Sequence, residues 1–142
     1  MPLSYYLPLL LVILSNIFYH NIAKNQPANA NAFLTLAIAY SISAIVTFTC
    51  FFIFKGNFKA DFSNLTWTSY LLGIAIIGIE LGYLLMYRNG WTISTAALIA
   101  NSIVAVLLLI AGFLFYKEAI TLTQVIGTIL CIIGLVLIKF KI

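Results

Sequence analysis

Glu80 is the one charged side chain that stands inside an apolar run of this sequence rather than at the end of one. It sits in Gly78-Ile79-Glu80-Leu81-Gly82, near the middle of the stretch Leu65–Tyr87. A charge at the centre of a bilayer costs about 3 kcal/mol on insertion scales, so such a group turns toward protein or a water-filled cavity. A carboxyl group in that setting is a candidate to alternate between protonated and charged forms near neutral pH. It could then exchange a proton for a cationic substrate, or bind a substrate amine directly. Tyr83 and Tyr87, three and seven residues further on, fall near the same helical face. They would supply hydroxyls or an aromatic wall for a cation. Asn16 and His20 share a face of the first apolar run, with Ser15 beside them, and Asn101 lies in the fourth. These are the expected polar neighbours. A competing reading makes Glu80 a structural carboxylate that is hydrogen-bonded across helices and never titrates. In that reading His20 is an interfacial histidine and Asn101 a helix-packing residue.

The elements that must position these residues follow from composition. Of 142 residues, 64% are hydrophobic and 7% charged, and the mean hydropathy is +1.16. A soluble domain averages about 25% charged residues, so this chain could not cover its own surface in water. The expected class is an all-α integral membrane protein, read as one membrane domain over residues 1–142. Five spans are expected, at about 3–22, 32–54, 65–87, 91–116 and 119–138. Pro8 falls at the opening of the first span, where proline is tolerated. That span has no Lys or Arg before Lys24 and exceeds a signal-peptide core in length, so it is expected to be retained. Lys24-Asn25-Gln26-Pro27 reads as a polar turn, Lys55–Asn64 as the one sizeable loop, and Arg88-Asn89-Gly90 as a tight turn. Trp67 and Tyr70 at one end of the third span, and Tyr87 at the other, suit an aromatic belt.

Net charge is +4, but the basic residues stand singly or in pairs beside apolar runs. That is the pattern of flanks that snorkel or set orientation, not of a nucleic-acid surface. With five spans, one side of the membrane receives Lys55, Lys59 and Lys117, and the other Lys24, Arg88, Lys139 and Lys141. So even a division is either the ambiguous count common in small proteins or a sign of dual topology, with both orientations inserted and pairing antiparallel. Thr123, Gly127, Cys131 and Gly134 form a stripe of small residues on the last span. Gly78 and Gly82 flank Glu80 as a GxxxG pair. Both are expected helix-packing or dimer contacts, the alternative for the stripe being the chain's own fourth span. Cys50 and Cys131 have no CxxC or histidine partner and read as small packing residues.

Gly73–Tyr87, Ile93-Ser94-Thr95-Ala96-Ala97, Tyr116-Lys117-Glu118, Gln124-Val125-Ile126-Gly127 and Ile133–Ile138 together resemble the C-terminal part of an EamA-type repeat. That repeat belongs to the drug/metabolite transporter superfamily. The Gly127-to-Gly134 spacing is also similar to the last helix of small multidrug resistance transporters. The likeness covers roughly 65–138 and is topological over the first two spans. Larger members carry two inverted five-helix repeats around a central cavity, so the resemblance implies an antiparallel homodimer that rebuilds a ten-helix transporter. Two departures stand out. Asn101-Ser102 occupies the place of a fourth-helix proline, and the first span lacks the glutamate that small multidrug resistance proteins carry there. The family's coupling carboxylate therefore does not carry over to Glu80. Glu118 matches a motif glutamate, expected to serve as a helix cap or ion-pair partner.

The expected function is secondary transport, exporting small metabolites or organic cations across the cell (plasma or inner) membrane with proton coupling through Glu80. The partners are then the lipid bilayer, a second copy of the chain, and a small molecule that is cationic in the sharper version. Two alternatives are a small non-transporting subunit of a lipid-linked sugar flippase and a dual-topology channel. No Ser/His/Asp set, metal cluster or phosphate loop is present in the sequence, so neither enzyme activity nor a cofactor or metal is expected.

Overall fold

Beyond the opening turns of the first, the apolar runs hold no proline, and their backbone must satisfy its own hydrogen bonds in lipid. The computed structural model describes residues 5–139, whose regular elements are all helical. In order they are α1 (Leu7–Lys24), α2 (Ala32–Ile53), α3 (Phe58–Ser63), α4 (Trp67–Arg88), α5 (Ile93–Tyr116) and α6 (Leu122–Lys139). Four of them, α1, α2, α4 and α5, are long and apolar enough to cross a membrane, while the apolar part of α6, Leu122–Ile138, is shorter. The chain divides into two compact units, Met1–Asn89 and Gly90–Ile142.

In the first unit α4 packs against both α1 and α2. Pro8 lies in the first turn of α1, where its missing N–H would have had no intrahelical acceptor. Asn31 caps α2 by accepting a hydrogen bond from the Leu34 N–H at 3.1 Å. The far end of α2 closes in a Schellman turn, with the Gly56 N–H on the Phe51 carbonyl at 3.0 Å and the Lys55 N–H on that of Phe52 at 3.1 Å. Lys55 takes the left-handed position of that turn, at φ 59°, where glycine is usual. Gly56 is needed beside it because a Cβ there would run into the Phe51 ring.

Several expectations change here. The first helix starts at Leu7 rather than Leu3 and runs on to Lys24; Leu3 and Ser4 lie outside the described residues. The third span starts at Trp67 and ends at Arg88, the fourth starts at Ile93, and the last starts at Leu122 rather than Ala119. In each case a Ser/Thr or loop residue takes the cap, so the apolar run begins before the helix does. The Lys55–Asn64 loop contains α3. Asn57 caps it by accepting from the Ala60 N–H at 3.3 Å, and the Asp61 carboxylate accepts from the Asn57 N–H at 2.8 Å. Phe58 and Phe62, one turn apart, stack with centroids 5.6 Å apart.

In the second unit α5 packs against α6. Thr92 caps α5 through the Thr95 N–H at 3.3 Å. At the other end Lys117 turns left-handed, and the Glu118 N–H reaches the Gly112 carbonyl at 3.1 Å. The Glu118 carboxylate folds back over Gly112, where a Cβ would meet Oε2 at 2.6 Å. This glutamate therefore closes the end of α5 through its backbone, and its carboxylate does not cap α6. The α6 cap is a box: the Thr121 N–H donates to Gln124 Oε1 at 2.8 Å, and the Gln124 N–H donates to Thr121 Oγ1 at 3.3 Å.

Large apolar side chains face outward along every long helix, among them Leu11, Phe18, Ile45, Leu72, Leu108 and Leu130. Water would not tolerate such a surface; hydrocarbon does, and the chain is a multi-pass membrane protein. Buried positions in the first unit are few and lie toward one end of its helices: His20, Leu36, Leu84 and Tyr87.

Candidate functional site

The C-terminal half of α4 presents Glu80, Tyr83, Leu84 and Tyr87 at helical spacing, and the other helices of the first unit meet it there. From α1 come Tyr19, His20 and Lys24. The Tyr19 ring stands edge-on to Tyr83 at 6.0 Å, and the His20 ring stands edge-on to Tyr83 at 4.7 Å. The Tyr87 hydroxyl and His20 Nδ1 share a buried hydrogen bond of 2.7 Å. Later residues of α1 thus meet later residues of α4, so the two helices run parallel. Lys24 Nζ donates to the Tyr87 carbonyl at 3.5 Å and lies 5.7 Å from the centre of the Tyr87 ring. An ammonium there favours the negative end of the α4 dipole and the face of the ring.

Glu80 lies about two turns before the end of α4 and is half-buried. Its carboxyl group interacts with Tyr19 of α1 and with Tyr40 of α2. The Tyr40 hydroxyl is shielded from solvent and is a hydrogen-bonding neighbour of that carboxyl group. Below Tyr40 a groove of about 350 Å³ opens along α4, lined by Tyr40, Tyr70, Gly73, Ile74, Ile76 and Ile77. The arrangement offers one carboxyl group, four phenols and one imidazole along about two turns of α4. Chemically it can hold a cation by charge and ring faces, and it can pass a proton among oxygen and nitrogen atoms.

The structure therefore brings Tyr83, Tyr87 and His20 together, one to two turns beyond Glu80. His20 is 6% exposed and hydrogen-bonded inside the unit. Tyr87, expected in an aromatic belt, is 4% exposed because its hydroxyl is taken by His20. Asn16 is exposed on α1 and is not among the side chains gathered around Glu80: α1 turns its Tyr19–His20 face to α4 instead. Asn101 is an exposed residue of α5 in the second unit. The glycines flanking Glu80 bring no helix close within the chain, since a Cβ on Gly78 or Gly82 would meet nothing within 4 Å. The same holds for Gly127 and Gly134, so α6 does not use them to approach α5. Cys131, between them, is exposed, as is Cys50.

Sequence reasoning missed Tyr19 and Tyr40. A hydroxyl near the middle of the second apolar run, as at Tyr40, is the signal that was available.

A model of the EamA-like transporter family matches residues 3–140. No curated protein and no solved structure matches the chain.

Proposed function

Since the chain belongs to the EamA-like transporter family, we propose that it carries small molecules across the cell membrane on a path that includes Glu80. The carboxyl group would hold a proton and a cationic substrate in turn. The observation that supports this is the setting of Glu80 itself. A half-buried acid in the middle of a membrane-crossing helix interacts with the phenols of Tyr19 and Tyr40. Tyr83, Tyr87 and His20 form the adjoining wall, and Asn16 lies further out on α1.

In this reading the whole chain is one membrane domain with five spans. The 17-residue apolar segment Leu122–Ile138 crosses as the fifth, with its polar capping box at the interface. Two copies pair antiparallel through surfaces that include Gly78, Gly82, Gly127, Cys131 and Gly134, all left open within a single chain. The test is transport by the purified protein in liposomes, screened with small amines while a trapped dye reports proton movement. Glu80→Gln should reduce substrate-driven proton flux to the background of empty liposomes while leaving the dimer intact by cross-linking. Unchanged flux with the same pH profile would make Glu80 structural.

A further inference from the structure

The short helix α3 sits in the connection between α2 and α4, and beside it lies a cavity of about 260 Å³ lined by Phe48, Phe51, Phe58, Asp61, Phe62 and Leu65. Phe48 and Phe51 come from the last two turns of α2. Phe58, Asp61 and Phe62 follow i, i+3, i+4 on α3 and so share one face of it. Phe58 and Phe62 stack at 5.6 Å, and Phe51 stands edge-on to Phe58 at 6.4 Å. The backbone at Gly56 lies against the Phe51 ring, where a Cβ would collide with it. The Asp61 carboxylate is held by the Asn57 N–H at 2.8 Å. Phe58, Asp61 and Phe62 are all exposed, so a molecule outside the chain can reach both the rings and the charge.

Phenylalanine faces carry the negative part of the ring quadrupole, and a carboxylate among them adds a full charge, so the lining suits a cation. The rest of that lining is hydrocarbon. An ammonium with N–H donors would give up hydration there for too few acceptors, whereas a trimethylammonium has no donor to satisfy and presents methyl groups to the rings. The connection as a whole carries Lys55 and Lys59 beside Asp61, one positive charge in excess. That excess disfavours a bare cation. It suits a group that brings an anion together with its ammonium.

We propose that this cage holds the trimethylammonium of a phosphocholine lipid headgroup, whose phosphate is balanced by the two lysines of the same connection. The end of a 22-residue apolar helix places the cage at headgroup depth. Glu80 lies 13 residues beyond Trp67, about 20 Å along the α4 axis, so the site stands apart from the proposed transport path and does not rest on it.

Asp61 is the chain's one aspartate, so a 13C label at the aspartate carboxyl carbon, introduced by cell-free synthesis, reports this site alone. The labelled protein is placed in bilayers of phosphatidylcholine with 13C in the choline methyls, and carbon–carbon correlations are recorded by solid-state NMR. A cross peak between the carboxyl carbon and the methyls is expected. If it arises only when free labelled choline is added to phosphatidylglycerol bilayers, the cage stands and the lipid source is overturned. No peak under either condition overturns the proposal. As a second measurement, native mass spectrometry compares retention of phosphatidylcholine through detergent exchange with that of its analogue in which uncharged 3,3-dimethylbutanol replaces choline. Wild-type protein should keep the choline lipid on the order of tenfold better. Asp61→Asn, which still offers an oxygen to the Asn57 N–H, should lose most of that preference, as should Phe58→Leu/Phe62→Leu. Equal retention of the two lipids by the wild type, or a preference that survives in both variants, would overturn the proposal.

Discussion

The Tyr87 hydroxyl and His20 Nδ1 are both withdrawn from solvent, so each depends on the other for its hydrogen bond. Tyr87→Phe removes one partner and leaves the imidazole nitrogen unpaired, at a cost of about 1–3 kcal/mol. Thermal unfolding in detergent should show that loss. Most of it should return in the Tyr87→Phe/His20→Phe double variant, where neither polar group remains. The Tyr40 hydroxyl is a hydrogen-bonding neighbour of the Glu80 carboxyl group, so Tyr40→Phe should cost about 0.5–1.5 kcal/mol. In the liposome assay it should also slow substrate-driven proton flux, and unchanged flux would remove Tyr40 from the path. At this scale the sequence exposed part of the site. Glu80, Tyr83 and Tyr87 are legible because helical periodicity within one run fixes which residues share a face. Tyr19 and Tyr40 are not, because they join Glu80 through the contact of three helices, and apolarity all round α1 and α2 gives no hint of which face turns inward.

The helix ends carry the elements' own predictions. Thr121→Ala breaks both hydrogen bonds of the α6 capping box and should cost about 0.5–2 kcal/mol, read as a lower melting temperature. Lys55 holds a left-handed backbone at φ 59°, a conformation that costs a non-glycine residue roughly 1–2 kcal/mol. Lys55→Gly should therefore be neutral or slightly stabilising in the same measurement, and a clear loss would mean that the lysine side chain contributes there. The long apolar runs announce α1, α2, α4 and α5, since little else in a sequence is so apolar for so long. Their ends are less legible, because an apolar run continues into capping residues that are not helical. At six residues, α3 is too short to build a periodic signal, and its stacked phenylalanines are separated by polar residues that read as loop.

For the molecule as a whole, the outward faces raise the question of what covers them. A Cβ added at Gly127 would meet nothing within 4 Å, so Gly127→Leu should leave the folded chain as stable as before. If two copies meet across this stripe, the same change should abolish energy transfer between labelled chains in liposomes, and undiminished transfer would place the contact elsewhere. The all-helical membrane class is legible from the long unbroken apolar runs, since a barrel would show short strands that alternate apolar and polar residues instead. The grouping of helices is not. Nothing in the sequence says that α4 is the helix both α1 and α2 pack against, because mutual fit between lipid-like surfaces leaves no polar and apolar alternation to read.

That grouping has a consequence for how the protein is made. A membrane chain leaves the ribosome from its N-terminus, and α4 is the one helix of the first unit that must bring a carboxyl group into the bilayer. Tyr19 and Tyr40 belong to α1 and α2, both already synthesised when Glu80 emerges. The acid therefore arrives with its two phenolic companions waiting and need not linger alone in lipid. A chain rearranged so that α4 is translated first should be degraded early or integrate poorly, even though every contact of the finished fold remains available to it.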